Sequence, residues 1–432
     1  MKYVIDLHIH SRFARACSKS LNPENLAYWA QIKGVHVLGT GDFTHPVWLS
    51  ELKERLDPAE PGLFRLKKGF DPSERHIIPV KNIDVSKTRF LLQTEVSCIY
   101  KKNGATRRVH ILIFAPDFSA VEKINAALTH RGCKLASDGR QIIGMDAKEL
   151  TKIALDADSR CMIVPAHAWT PWFAVFGSKS GFDSLDECFD EMTPYIYAIE
   201  TGLSSDPPMN HQISALDKIT LISNSDAHSC ANIAREANVM DLPTLSYDAI
   251  YNTIKEKDKK RFLYTIEFYP EEGMYHIDGH RACKFSCEPE ETKRRKGVCP
   301  KCRKVLTVGV LNRVNALADR EYGFTPANAI PHKHLVGLDD IIADGLNIKG
   351  RKSRKVIETY RKLIEDFGTE LHILFDANIA DIREHTNERI AEGIGRNRTG
   401  NIHIVPGFDG QYGEVNVFSM QERMDQHQTS LF

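Results

Sequence analysis

The chain opens Met1-Lys2-Tyr3-Val4-Ile5-Asp6-Leu7-His8-Ile9-His10, and this pattern sets the architecture of the rest. Apolar and polar residues alternate from Ile5 to His10, the period of a strand on which alternate side chains share a face. Asp6, His8 and His10 are therefore expected on one face, and Ile5, Leu7 and Ile9 on the other. Two imidazoles two residues apart at a strand end make a pincer for a metal ion. For this motif alone, a polar strand face with incidental histidines is the plain alternative.

The same ending recurs along the chain. Gly39-Thr40-Gly41-Asp42 closes an apolar run with a carboxylate, and Leu91-Leu92-Gln93-Thr94-Glu95 closes another. His110 sits in Arg108-Val109-His110, His167 ends Ile163-Val164-Pro165-Ala166-His167, and Asp226 and His228 end Ser223-Asn224-Ser225-Asp226-Ala227-His228. Strands are expected over 3–9, 35–40, 90–95, 109–114, 161–165, 196–200 and 220–223, with helical patterns such as 23–33 and 147–156 between them. That alternation reads as an α/β barrel or doubly wound sheet. In a barrel, the carboxyl ends of parallel strands converge on one face, where sites are built. Eight such ligands (His8, His10, Asp42, Glu95, His110, His167, Asp226 and His228) exceed the needs of one ion, so two or three are expected. Mixed nitrogen and oxygen donors suit zinc, manganese or iron. Adjacent cations suit phosphoryl displacement, where they stabilise both attacking and leaving oxygens. His45 is an extra candidate, with a surface loop histidine as its simpler reading.

Near these motifs stand candidate substrate contacts. Ser18 and Lys19 either hold a phosphate or form an ordinary helix cap and solvent lysine. Trp169 and Trp172 follow His167 directly and suit a nucleobase platform, with barrel packing as the alternative. Ser204 and Ser205, after the expected strand 196–200, either offer hydrogen bonds to a substrate or simply make a turn.

Composition adds limits. The 432 residues suggest two or three domains. Lys plus Arg equals Asp plus Glu at 57 each, so any nucleic-acid surface must come from local clustering. No run approaches the roughly 18 apolar residues of a membrane span, and the polar start is unlike a signal peptide, so a cytoplasmic, nucleoid-associated protein is expected. The absence of G-x-x-x-x-G-K-[ST] argues against a nucleotide cofactor.

Four of the ten cysteines cluster as Cys283-x3-Cys287 and Cys299-x2-Cys302, the pattern of a closed, structural four-thiolate zinc site. Between Arg281 and Arg313 lie ten Lys or Arg against three Glu, which favours phosphate-backbone binding over a merely solvated loop. A second basic run, 349–355, lies between helices expected over 335–346 and 353–367. The boundaries expected are 1–265 for the barrel, 266–312 for the zinc module, 313–420 for a helical DNA-binding domain and 421–432 for a flexible tail. That tail ends Gln428-Thr429-Ser430-Leu431-Phe432, a polar anchor followed by two apolar plugs.

Over about residues 1–265 the set of motifs resembles the PHP superfamily. The resemblance implies a distorted (β/α)7 barrel with a trinuclear centre. His8, His10, Glu95 and Asp226 would hold one ion, and Asp42, His110, His167 and His228 the others, with Glu95 a bridge and Glu95, Asp226 and His228 catalytic. With the zinc module, the helical C-terminal part and the tail, the resemblance extends to the endonuclease Q family across essentially the whole chain. It implies two or three divalent ions (zinc, manganese or magnesium), one structural zinc, and hydrolysis of the phosphodiester 5′ to deaminated bases (uracil, hypoxanthine, xanthine) or abasic sites, with base flipping. The tail resembles sequences that dock on the DNA polymerase sliding clamp, through Gln428, Leu431 and Phe432. The alternatives are a PHP phosphatase acting on a small monoester such as histidinol phosphate, and a barrel that only binds.

Overall fold

A computed structural model describes residues 1–72 and 78–429, with side chains as far as 424. Leu431 and Phe432 of the clamp-like tail lie outside the described residues, as does the side chain of Gln428.

Seven strands form the ring that positions the site: β1 (Lys2–Asp6), β2 (Val37–Gly39), β3 (Arg89–Lys102), β4 (Ala105–Ala115), β5 (Met162–Pro165), β6 (Ala198–Glu200) and β7 (Thr220–Ile222). β1, β2 and β3 pair in parallel, β4 lies antiparallel between β3 and β5, and β6 pairs in parallel with β7. Two junctions close the ring. Ala168 N donates to Glu200 O at 2.9 Å between the ends of β5 and β6. His10 N donates to Ala227 O at 3.2 Å, beside a parallel bridge between Ile9 and Ala227. The result is the expected distorted α/β barrel, and its distortion is the reversal of β4. The reversal brings the amino-terminal half of β4 to the rim where the other strands finish, which is how His110 reaches the same mouth as the strand-end ligands.

Ile5, Leu7, Val37, Leu91, Leu112 and Val164 fill the barrel interior, while Ile9, Leu38, Phe90, Ile111 and Ile163 pack outward beneath the helices. The strict alternation expected through His10 breaks here. The strand ends at Asp6, and Leu7 and Ile9 fall in different clusters. Asp6 itself is structural, accepting from Ser225 N and Ala234 N at 3.0 Å each. The helix Pro23–Lys33 forms where expected, with Asn22 capping it by accepting from Asn25 N and Gly34 closing it in the left-handed region. His45 is no surface residue: it is buried, accepts from Trp48 N at the start of helix Pro46–Arg55, and stacks on Phe13.

Two further strands, β8 (Ala237–Asp241) and β9 (Phe262–Glu267), extend the sheet from β1, and His332–His334 pairs in parallel with β9. The stretch from 313 to 334, expected in the C-terminal domain, thus runs back over the barrel. Arg313 donates to Phe176 O and Phe182 O, and Arg320 pairs with Asp217 at 2.6 Å. The helical part starts with Leu338–Gly345 and continues with Arg354–Phe367, whose cap Ser353 accepts from Val356 N. It is locked to the barrel by an ion pair with almost no solvent access. Lys33 Nζ lies 2.6 Å from Glu370 Oε2, and Tyr360 donates to the same carboxylate. Breaking one partner of a buried pair strands the other charge, at about 3–5 kcal/mol. Glu370→Gln is therefore expected to lower stability by that order in urea titration, and the double change Lys33→Met with Glu370→Leu by clearly less than Glu370→Gln alone.

Candidate metal centre

At the barrel mouth, four side chains aim at one region. His8 Nδ1 lies 3.0 Å from both oxygens of Glu200, and His10 Nδ1 lies 3.1 Å from Asp42 Oδ1. Each carboxylate accepts from Nδ1–H and turns the Nε2 lone pair inward. There the Nε2 atoms of His8 and His10 and Oδ1 of Asp226 are buried without a hydrogen-bond partner. Buried polar atoms are rarely left so, and three converging orphans are what a cation's ligands look like. His10 Nε2 is 3.1 Å from Asp226 Oδ1 and 3.3 Å from Glu95 Oε2. On its other side, Glu95 Oε1 lies 2.7 Å from His110 Nδ1 and 3.0 Å from His167 Nε2. Three ligand groups result: His8, His10 and Glu95; His10, Asp226 and His228; and Glu95, His110 and His167. Within each, the donor atoms lie within 4.8 Å of one another, and the shared Glu95 and His10 join the groups. The donor set therefore fits bound divalent cations.

Seven of the eight ligands expected from the sequence fall in these groups. Asp42 does not, because both its oxygens are engaged: Oδ1 with His10, Oδ2 with Ser11 N and Oγ at 2.7 and 2.6 Å. It holds the Nδ1 side of the His10 ring. Glu200 does the same for His8 and also accepts from His167 N and Asn224 Nδ2. Its strand-end position is the signal that could have singled it out. The backbone is also unusual here, since Asp42, His167 and Asp226 all have positive φ (44°, 30° and 45°). Such strain in residues other than glycine collects where a side chain must be aimed.

The charges are strongly coupled. Burial alone would raise the Glu95 carboxyl, but His110 and the Arg140 guanidinium outweigh it and hold it well below the usual range. Burial would likewise raise Asp226, and the His8 and His10 charges hold it down. Burial depresses His8 and His10, yet the facing carboxylates Glu200 and Asp226, and Asp42 respectively, lift both well above an ordinary histidine. Without cations the cluster holds protons, and cations compete for the same atoms.

A cleft of about 900 Å³ runs from this centre toward the C-terminal part, with Trp172, Ser204, Tyr275, Arg235 and Arg351 in its walls. Trp172 is exposed at the cleft and stands edge-on to Tyr275 at 5.3 Å. Trp169 is not a platform. It is buried, donates from Nε1 to Asn210 Oδ1 at 2.7 Å and packs on Phe176. Ser205 is also committed inside, donating to Thr201 O and accepting from Asn210 Nδ2. Ser18 bonds Ser20, and Lys19 is exposed; neither lines the cleft.

The cysteine cluster differs from the expected four thiolates. Cys283, Cys299 and Cys302 come together with His280, whose Nδ1 lies 3.4 Å from Cys302 Sγ. Cys287 is outside the group. The hairpin of Asp278–His280 and Phe285–Cys287 pairs His280 with Phe285 and carries Cys287 to the far end, opposite Asp278, where its Sγ meets Thr292 Oγ1 at 3.2 Å. A set of three thiolates and one imidazole is equally a closed tetrahedral zinc site.

Fold and site together define an α/β barrel protein with clustered, cation-fitting His, Asp and Glu side chains at the strand ends. Comparison with known proteins narrows this further: from end to end the chain resembles endonuclease Q. It matches the lesion-specific endonuclease PfuEndoQ from Pyrococcus furiosus at 28% identity and a TM-score of 0.83, over 99% of both chains. A structure of endonuclease Q in complex with a 27-mer duplex bearing an abasic lesion at the active site matches at 29% identity and a TM-score of 0.81, over 97% of both chains. The uncharacterised protein YqxK of Bacillus subtilis is 26% identical over 96% of this chain and 99% of its own. MJ0043 of Methanocaldococcus jannaschii is 28% identical over 58% of this chain, which spans only 31% of that protein's length. The MJ0043 C-terminal domain family matches residues 337–401.

Two outcomes test the site. His280→Ala is expected to lose the cysteine-bound zinc and Cys287→Ser to keep it, read by elemental analysis of purified protein. Glu200→Gln, which no longer holds His8 by a charged partner, is expected to weaken Mn²⁺ binding about 10–100-fold in calorimetric titration while leaving the cysteine site loaded.

Proposed function

We propose that this chain is a metal-dependent endonuclease of DNA repair that cuts beside a lesion. The observation that carries the reading is the meeting of three ligand groups on Glu95 and His10, in a chain alike over its whole length to a lesion-specific endonuclease. The finer reading is cleavage of the phosphodiester 5′ to a deaminated base or an abasic site, leaving a 3′-hydroxyl and a 5′-phosphate.

In this reading the chain's own residues do four things. Glu95, His8, His10, His110, His167, Asp226 and His228 would hold the cations, with Asp42 and Glu200 fixing the imidazole tautomers. Once bound, the cations supply Lewis acidity toward water and phosphoryl oxygens and neutralise charge that develops on the phosphate. The cleft receives the lesion nucleotide, flipped out of the duplex, with Trp172 and Tyr275 offering aromatic surface. A deaminated or missing base pairs weakly, which lowers the cost of extrusion. The basic run 281–313 and the turn 349–355 grip the backbone. At the tail, Gln428, Leu431 and Phe432 would engage a sliding clamp.

A labelled duplex carrying one uracil, hypoxanthine or abasic site tests the reading in the presence of Mn²⁺ or Mg²⁺. The expected result is a single nick 5′ to the lesion. Asp226→Asn should lower the rate at least about 10²-fold while still binding the same duplex. An intact lesion strand together with phosphate release from small monoesters would favour a phosphatase instead, and retained nicking in Asp226→Asn would remove the metal mechanism.

A further inference from the structure

Arg140 belongs to no strand end and to none of the three ligand groups, yet it reaches Glu95, which two of them share. Its Nη1 lies 3.1 Å from Glu95 Oε2, the same oxygen that faces His10 Nε2 at 3.3 Å. A guanidinium carries five donors in a planar fork. The contact with Glu95 uses Nη1 and leaves the rest of the fork beside the cluster, with about a quarter of the side chain open to solvent.

The loop that carries Arg140 is built tightly against the centre. Gly139 N donates to Phe13 O at 3.0 Å, and a Cβ at Gly139 would stand 2.4 Å from Asp42 Oδ2 and 2.6 Å from Ala14 N, so no larger residue fits without displacing the carboxylate that holds His10. Asp138 Oδ1 accepts from Arg140 N at 3.0 Å and from Arg15 N at 3.2 Å, clamping this loop to the one that follows the His8–His10 pair. Immediately after Arg140, Gln141–Ile143 pairs in parallel with β3, the strand of Glu95. Arg15 and Lys134 stand exposed on the same two loops. A fixed cation at the metal cluster, flanked by exposed ones at its rim, is an arrangement for a polyanion entering the site.

A purely structural arginine would be expected to spend its fork on the carboxylate in a bidentate pair, the geometry that neutralises best. Here the pair is single, and the carboxylate already faces four imidazoles, those of His8, His10, His110 and His167. We propose that Arg140 is a substrate-contact residue that grips a non-bridging oxygen of the phosphate being cut, or of its immediate neighbour, beside the cations. This inference rests on the nuclease reading and deepens it: the centre takes a phosphodiester through an arginine as well as through metal.

Fluorescence anisotropy of lesion duplex with Arg140→Ala, Arg140→Lys and the parent protein, all in the Asp226→Asn background, tests this without turnover, alongside metal content. Arg140→Ala is expected to weaken binding at least about tenfold and to reduce the slope of log K against log salt by about 0.9, the loss of one phosphate contact. Its metal content should be unchanged. Arg140→Lys should recover part of the affinity. Replacing the scissile phosphate and the one beside it by uncharged methylphosphonates should remove most of the difference between Arg140→Ala and the parent; a difference that survives this replacement in full would overturn the proposal. So would loss of metal from Arg140→Ala, or equal affinity and salt slope for it and the parent. No binding of lesion duplex by the parent would sink the nuclease reading itself, a result distinct from parent binding with an indifferent Arg140.

Discussion

One carboxylate organises this molecule. Glu95 lies fully buried in the middle of a fourteen-residue strand, and its two oxygens face opposite ways, one to His110 and His167, the other to His10 and Arg140. A buried carboxylate in so crowded a place is tolerated only if positive charge surrounds it. Arg140 and the His10 and His167 imidazoles, both raised by facing carboxylates, supply that charge, and cations supply it better. The barrel exists, in effect, to bring widely separated stretches of chain around this group. The reversal of β4 is essential to that, because only a strand running the other way can offer His110 to the mouth from its first half.

The second layer of carboxylates explains why the cluster is rigid. Asp42 and Glu200 each hold an Nδ1, so the ring planes of His10 and His8 are set before any ion arrives. Positive φ at Asp42, His167 and Asp226 places backbone strain at three of the turns that aim these groups, and the packed interior of Ile5, Leu7, Leu91 and Leu112 beneath them resists relaxation. Preorganisation of this kind suits a site that must stabilise charge developing on phosphorus.

Much of this was legible in the sequence because strand ends are simple to recognise: an apolar run followed by His, Asp or Glu. That rule picked out the seven residues that the structure groups at the barrel mouth, and the α/β barrel. It says nothing of what else a side chain touches. Asp42 stands at a strand end but its oxygens meet Ser11 and His10, and Cys287 lies at the far end of a hairpin, so His280 stands with the other three cysteines. Trp169 follows a ligand directly, yet its indole turns into the core to reach Asn210. Arg140 carried no sequence signal at all, because it lies on an irregular loop and its placement is a property of Gly139 and Asp138 packing against another loop. Local pattern reveals elements and their ends; tertiary packing decides which of two neighbouring polar residues faces the centre.

Anomalous diffraction at the manganese edge, from crystals grown with Mn²⁺, tests the shared carboxylate most directly. A centre organised by Glu95 gives at least two peaks at the barrel mouth, with Glu95 in contact with more than one of them and His10 beside it. A map with density only at the cysteine cluster, or with a single peak that Glu95 does not touch, would contradict it.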